Sequence, residues 1–312
     1  MEDDAAPEVI PRTPSSGTLC ATCQAAVEWG CDLNRQEGES QVYDERAIWR
    51  HHCPDFDDRL RTVQQWLQDC RSRHGECRQD VKIRPARLLD LSSVALSGEV
   101  KLVLTADIPA ADVRYTALSH CWGTGTSEPP PKTNGHNQQN HMRGILLTDL
   151  PRNFQDAVAI SLKLGIPYLW IDSLCILQDD KEEWEQEAMK MAHIYEGGVL
   201  TIAAAGSPDA YGGIINRLDQ PTYTIPHPHA GDQVGAGPAQ PSLIVRQQCH
   251  QHHLHSSMNS NYRQRGWILQ ELALSPRTIF FTKGQFFWQC RRFFESEDKA
   301  YRSSQFEALF KT

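Results

Sequence analysis

At 312 residues, with 40% hydrophobic and 22% charged residues, the chain is long enough to bury a sizeable core as one large domain or two ordinary ones. A formal charge of −8 argues against nucleic acid or an anionic membrane as partner, and no apolar run approaches the length of a membrane span. The acidic start MEDDAAPEVI is unlike a signal sequence, so the ten cysteines are expected as reduced thiols or metal ligands in a cytoplasmic protein.

Residues 1–18, acidic and then rich in Pro and Ser, read as disordered. Residues 19–83 read as a Cys/His-rich, mainly helical region. Cys20 and Cys23 form a Cys-x-x-Cys pair, and FDDRLRTVQQWLQDC spaces Leu60, Val63 and Leu67 as one helix face does. Cys70 and His74 share a helical face, with Cys77 just past Gly75. Two readings stand side by side. The pair plus Cys-x-x-x-His-x-x-Cys suits a tetrahedral zinc site, with Cys20, Cys23, Cys70, His74 and Cys77 competing for its places. The same residues also suit reduced thiols buried in a small helical cap.

Residues 84–312 form the main domain. LLDLSSVAL and EVKLVLTAD flank Ser97-Gly98 as a hairpin would. Tyr115 to Trp122 is the first core strand; it ends at His120, Cys121, Trp122 and Gly123 and runs into a long polar loop. A helix follows, with Thr148 or Asp149 as cap and Pro151 in its first turn. Leu150, Phe154, Ala157, Val158 and Leu162 lie on one face, and Gly165 and Pro167 stop it. The stretch YLWIDSLCILQDD reads as a buried strand, Tyr168 to Ile171, that delivers Asp172, Cys175, Gln178, Asp179 and Asp180 to a crevice. Asp180 with Glu183 resembles a capping box, opening a helix with a Trp184, Ala188, Met191, Tyr195 stripe; VLTIAAA is the next strand. Strands alternating with helices imply a parallel sheet with crossover helices. The histidines between His227 and His255 meet no ligand spacing and read as solvated loop. Arg265 to Leu274 reads as a helix that brings Trp267, Gln270 and Glu271 together, and TIFFTKGQFFWQC as a hairpin turning at Lys283-Gly284. The sequence stops at FEALFKT without a clear ending, and is expected to be a portion or short form of a longer protein.

The polar groups that interrupt these apolar blocks are His120, Asp172, Gln178, Asp179, Arg265, Gln270 and Glu271. Asp172 and Glu271 each need a partner, for which Arg265 is available, and each has two readings: a buried ion pair or cap, or a carboxylate in a crevice that acts on a ligand. Asp179 and Asp180 also suit helix caps. Trp122 beside its glycine loop can stack on a planar ligand. Cys121 beside His120, and Cys175, invite a thiol-nucleophile reading, but that mechanism needs pairing in space and neighbours on a strand face opposite ways. No phosphate loop, dinucleotide fingerprint or nucleophile elbow is present.

The segments YTALSHCWG, LPRNFQDAVAISLKLGIPYLWIDSLCILQDD, EEWEQEAMKMAHIYEGGVLTIAAA and RGWILQELALSPRTIFF resemble, in order, the successive blocks of the fungal heterokaryon incompatibility (HET) domain, across residues 114–290. His120 stands where that family commonly has Tyr. The resemblance implies a mostly parallel, flavodoxin-like sheet related to the Toll/interleukin-1 receptor fold, with flanking helices. It implies an effector of self/non-self recognition and programmed cell death that acts through self-association or another incompatibility protein. By the same analogy the domain would cleave NAD, with Glu271, or Asp172 in reserve, stabilising a ribosyl cation. His120, Trp122, Gln178, Asp179, Arg265, Trp267 and Gln270 would then hold the ligand. A non-enzymatic adaptor and a small-molecule enzyme of fungal metabolism are the alternatives.

Overall fold

The protein's structure, a computed structural model, describes residues 56–79, 83–123, 128–215, 273–282, 285–297 and 302–303, the single residues Tyr262, Glu271 and Lys299, and the backbone of two strands at 222–226 and 242–246. The elements in chain order are α1 (Phe56–Arg73), β1 (Arg87–Asp90), the single turn α2 (Val94–Ser97), β2 (Glu99–Leu104), β3 (Tyr115–Ser119), α3 (Gln138–Arg143), β4 (Ile145–Leu146) and α4 (Arg152–Lys163). There follow β5 (Tyr168–Trp170), the single turn α5 (Asp172–Cys175), α6 (Lys181–Gly197), β6 (Leu200–Ala203), β7 (Thr222–Pro226) and β8 (Ser242–Arg246). The last strands are β9 (Arg277–Phe281), β10 (Phe286–Cys290), β11 (Phe294–Ser296) and β12 (Arg302–Ser303).

The fold is α/β, built on a ten-stranded sheet in the order β12-β11-β10-β9-β6-β3-β5-β1-β2-β4. Its centre is parallel: β5 with β3, β3 with β6, and β6 with β9. Every residue of β3, β6 and β9 is buried, as strands covered on both faces must be. Read by chain order, these four parallel strands lie second, first, third, fourth across the sheet. The expectation of a mostly parallel sheet is corrected, since the outer pairs are all antiparallel. For β1–β2, β9–β10 and β10–β11 the physical reason is a short connection, which closes a hairpin and leaves no room for a crossover helix. β7 and β8 form a separate antiparallel pair, Thr222 opposite Arg246 through Pro226 opposite Ser242, and belong to a second compact unit.

Successive residues of β3 fix the layers. The Thr116 hydroxyl meets the Ser161 hydroxyl of α4 at 2.6 Å, while the Tyr115 hydroxyl donates to the Ile194 carbonyl of α6, also at 2.6 Å. Neighbours on a strand point oppositely, so α4 and α6 cover opposite faces of the sheet. α1 belongs to the same compact unit. It docks on the antiparallel side, where Trp66 stacks on Trp288 at 5.9 Å and donates its indole N–H to Glu295. Arg59, fully enclosed, pairs with Glu297 while its guanidinium lies 4.0 Å from the Phe286 ring centre.

Several local expectations change. The hairpin of β1 and β2 is real, with Arg87 opposite Leu104, but α2 is inserted before its turn. Gly98, at φ +71, ends α2 and donates its N–H to the Val94 carbonyl, a left-handed position that favours glycine. Thr148 and Asp149 do not cap α4. They lie in a 3-10 turn, and the position before the helix is Pro151. Phe154, Ala157 and Val158 are buried on α4 while Leu162 is exposed. On α6, Asp180 caps the helix by accepting the Glu183 N–H at 3.0 Å, but the Glu183 carboxylate turns to Arg87, at 2.5 and 2.8 Å. Glu187 is likewise drawn inward, accepting the Ala86 N–H at 3.1 Å and Lys190 Nζ at 2.8 Å. These bonds orient the helix by its acids, so Trp184 is left 43% exposed instead of lying in the core. Among the described residues no helix is long and apolar enough to cross a membrane.

Candidate functional site

The carboxyl end of β3 is a buried polar strand end. Ser119 is 1% exposed and lies opposite Ala203, the last residue of β6. Its hydroxyl donates to Glu271 Oε2 at 2.5 Å and is 2.8 Å from the Tyr262 hydroxyl. A hydroxyl has one proton, so with Glu271 as a carboxylate accepting from Ser119, the Tyr262 hydroxyl is the donor in the second bond. A chain Tyr262 → Ser119 → Glu271 results, with every member buried. Around it lie Cys121, Ala203, Ala205, Phe280, Phe287 and Phe294, a small apolar cluster in which Tyr262 takes part. Such an enclosure strengthens hydrogen bonds to the carboxylate.

Beyond Ser119 the strand end splits by side. His120, also buried, stands edge-on to Phe154 of α4 at 4.9 Å, on the face opposite Ser119. Trp122 is half-buried, and Gly123 turns the chain away at φ +102. The Trp122 indole N–H donates to Asp172 Oδ2 at 3.1 Å, and Asp172 Oδ1 accepts the Ser173 N–H at 2.7 Å. Lys132 Nζ lies 4.8 Å from the Trp122 ring centre, a cation–π contact. Gln178 closes the turn by donating to the carbonyls of Asp172 and Ile176 at 3.1 and 3.2 Å. Asp179 accepts the Gly135 N–H at 3.0 Å, and Thr133 bridges to Leu177. The long polar loop after β3 is thereby stitched to the segment after β5.

Asp172 and Glu271 are therefore both bonded to one strand end, through Trp122 and Ser119 three positions apart. Glu271 is enclosed, whereas Asp172, Trp122 and Gln178 are half-open to solvent. Arg265, Trp267 and Gln270 lie outside the described residues, as do the histidines from 227 to 255. Cys175 is fully buried, and burial pushes its thiol up to about 12, which leaves it inert as a nucleophile.

Sequence reasoning did not single out Ser119, Tyr262 or Lys132. Ser119 carried a usable signal as the last residue of an apolar strand, where open α/β sheets present their polar groups. Lys132 carried none, since its place over Trp122 depends on how a long loop folds back.

The cysteine and histidine positions fall into a second cluster. Cys70, His74 and Cys77 gather with Cys290 of β10, their ligand atoms all within 4.8 Å of one another and all four residues buried. Cys290 was not among the sequence candidates, and Cys20 and Cys23 lie outside the described residues. The Cys290 thiol is held below the ordinary thiol range, first by a hydrogen bond from Cys70, whose own thiol is pushed up by that same bond.

No curated protein and no solved structure matches the chain. Residues 115–271 match the family described as heterokaryon incompatibility protein (HET). That span opens with the first residue of β3, encloses β5, α6 and β6, and closes on Glu271, so it contains Ser119, Trp122, Asp172, Tyr262 and Glu271. On a match across half its length, the chain belongs to the heterokaryon incompatibility (HET) family.

Proposed function

We propose that this HET domain is a cytoplasmic effector of fungal self/non-self recognition that triggers cell death by cleaving NAD or a related nucleotide at the carboxyl edge of β3 and β6. The observation that carries this reading is the pair of carboxylates bonded to one strand end, Glu271 through Ser119 and Asp172 through Trp122. The order second, first, third, fourth of the parallel strands supports a flavodoxin-like core, related to the Toll/interleukin-1 receptor fold. In such sheets ligands bind where the winding reverses, between the first and third strands, which here are β3 and β6.

In the reaction, the bond from ribose to nicotinamide breaks, the electron pair leaves with neutral nicotinamide, and water adds to the ribosyl cation with loss of a proton. The enclosed Glu271 carboxylate stabilises that cation, and Tyr262 and Ser119 hold the carboxylate in place. Trp122, steadied by Asp172, offers an aromatic face to the base. Gln178, Asp179, Arg265, Trp267 and Gln270 complete the ligand contacts.

A second reading is favoured by the burial of Glu271. A carboxylate 2% exposed and bonded to a strand hydroxyl is also what a purely structural acid looks like, and the domain would then be an adaptor that signals by self-association or by binding another incompatibility protein. Expression in a filamentous fungus separates the two. The effector reading expects growth arrest with the wild type and none with Glu271→Gln at equal protein level. Arrest in both that tracks oligomer formation supports the adaptor and removes the enzymatic reading.

A further inference from the structure

We propose that Cys70, His74, Cys77 and Cys290 bind one structural zinc ion that ties the helix preceding the HET domain to the β-hairpin following it. The sequence alone offered five ligands for four places. The fold selects among them and adds one that no spacing rule indicated, because β10 brings Cys290 to the end of α1 from more than two hundred positions away.

The geometry matches the ion. Zinc–sulfur bonds of about 2.3 Å and zinc–nitrogen bonds of about 2.0 Å in a tetrahedron set ligand atoms roughly 3.5–3.8 Å apart. His74 Nδ1 lies 3.6 Å from Cys290 Sγ and 4.0 Å from Cys77 Sγ, and no ligand pair exceeds 4.8 Å. Three thiolates and one neutral imidazole form one of the common sets for a closed structural zinc site.

The surroundings suit thiolates rather than thiols. Arg277, itself buried, donates Nε to Cys70 Sγ at 3.3 Å and an Nη to the Cys77 carbonyl at 2.7 Å. Zinc with three thiolates carries one net negative charge, which this guanidinium offsets. Such outer hydrogen bonds are the usual companions of metal-bound sulfur. His74 is steadied by the edge-on ring of Phe293 at 5.5 Å. A set of buried thiols needs none of this apparatus.

All four ligands lie outside residues 115–271, three before and one after. The ion therefore closes a clasp around the family domain. It fixes α1 and the 3-10 turn at Gly75–Cys77 to β10, beside the Trp66 and Trp288 stack.

The test is the metal content of the full chain, purified without added metal and without a metal-affinity tag. The expected result is one zinc per chain for the wild type. The Cys20→Ser/Cys23→Ser variant should be unchanged, and Cys290→Ser should lose most of the metal. Cobalt exchange should give the visible bands of a tetrahedral site together with thiolate-to-cobalt charge transfer. Should Cys290→Ser fail to fold, Cys290→His, which keeps a ligand, should hold the metal, and Cys175→Ser should match the wild type in stoichiometry. Wild-type protein without bound zinc, a disulfide among these cysteines, or metal lost with Cys20 and Cys23 but kept without Cys290 each overturns the assignment.

Discussion

The hydroxyl of Ser119 donates a 2.5 Å hydrogen bond to Glu271 Oε2, joining the last residue of β3 to a residue 152 positions later. One end of that bond is a strand at the heart of the sheet, and the other is the final residue of the span shared with the HET family. Because Tyr262 donates to Ser119 in turn, the three groups act as a unit and their deletions should differ. Ser119→Ala takes a donor from a buried carboxylate and an acceptor from a buried phenol, for an expected loss of about 1–3 kcal/mol. Tyr262→Phe removes only a neutral donor, for about 1 kcal/mol. Urea unfolding of the two variants and their double should show the serine change as the larger and the effects as non-additive. The opposite ranking, or simple additivity, contradicts the chain of bonds.

The pair of Arg87 and Glu183 should make stability depend on acid. The Arg87 guanidinium, through two hydrogen bonds, holds the Glu183 carboxyl below the usual carboxylate range. A depressed folded pKa gives stability that is full above the unfolded value, about 4.3, and is lost as pH falls through the lower folded value. Glu183→Gln should cost about 2 kcal/mol at neutral pH, since Arg87 is then left buried beside a neutral amide. The gap between wild type and variant should begin to shrink as pH falls through about 4.3 and be gone below the lower folded value. A gap that persists there would locate the contribution in packing.

Arg59 and Glu297 form a buried pair between α1 and the far side of the sheet, and Glu297 also accepts the Phe286 N–H at 3.1 Å. Removing either charge alone, as Arg59→Leu or Glu297→Leu, should cost about 3–5 kcal/mol, because the other charge is stranded under apolar cover. The double variant should cost far less than the sum. Melting curves that show both single changes as mild would mean that α1 is held mainly by Trp66 and Trp288.

Much of the central sheet was legible because buried parallel strands are written as continuous apolar runs and their crossover helices as periodic ones. Tyr115 to Ser119, Leu169 and Trp170, and Leu200 to Ala203 announce themselves in this way. The antiparallel flanks were underestimated, since YLW beside RLLD says nothing about which strand pairs with which. The facing of α6 was misjudged for an energetic reason. Hydrophobicity alone turns Trp184 inward, yet the carboxylates of Glu183 and Glu187 have partners on the segment at Ala86 and Arg87 and take that side of the helix. The strand end around Asp172 was readable as a place where apolar sequence gives way to acids. Its bond to Trp122 and the burial of Glu271 by Ser119 and Tyr262 were not, because each joins segments at least 50 positions apart. Cys290 is the same case, a ligand supplied by the fold with no local pattern to mark it.

The claim at the centre is that Glu271, enclosed at the end of β3, does chemistry on a dinucleotide. The direct measurement is nicotinamide released from NAD by the purified full chain, compared between wild type and Glu271→Gln variant with matched circular dichroism spectra. Release by the wild type, reduced at least about a hundredfold in the variant, is the predicted result. Equal release from both proteins, or none from either, contradicts it and leaves Glu271 as a structural acid.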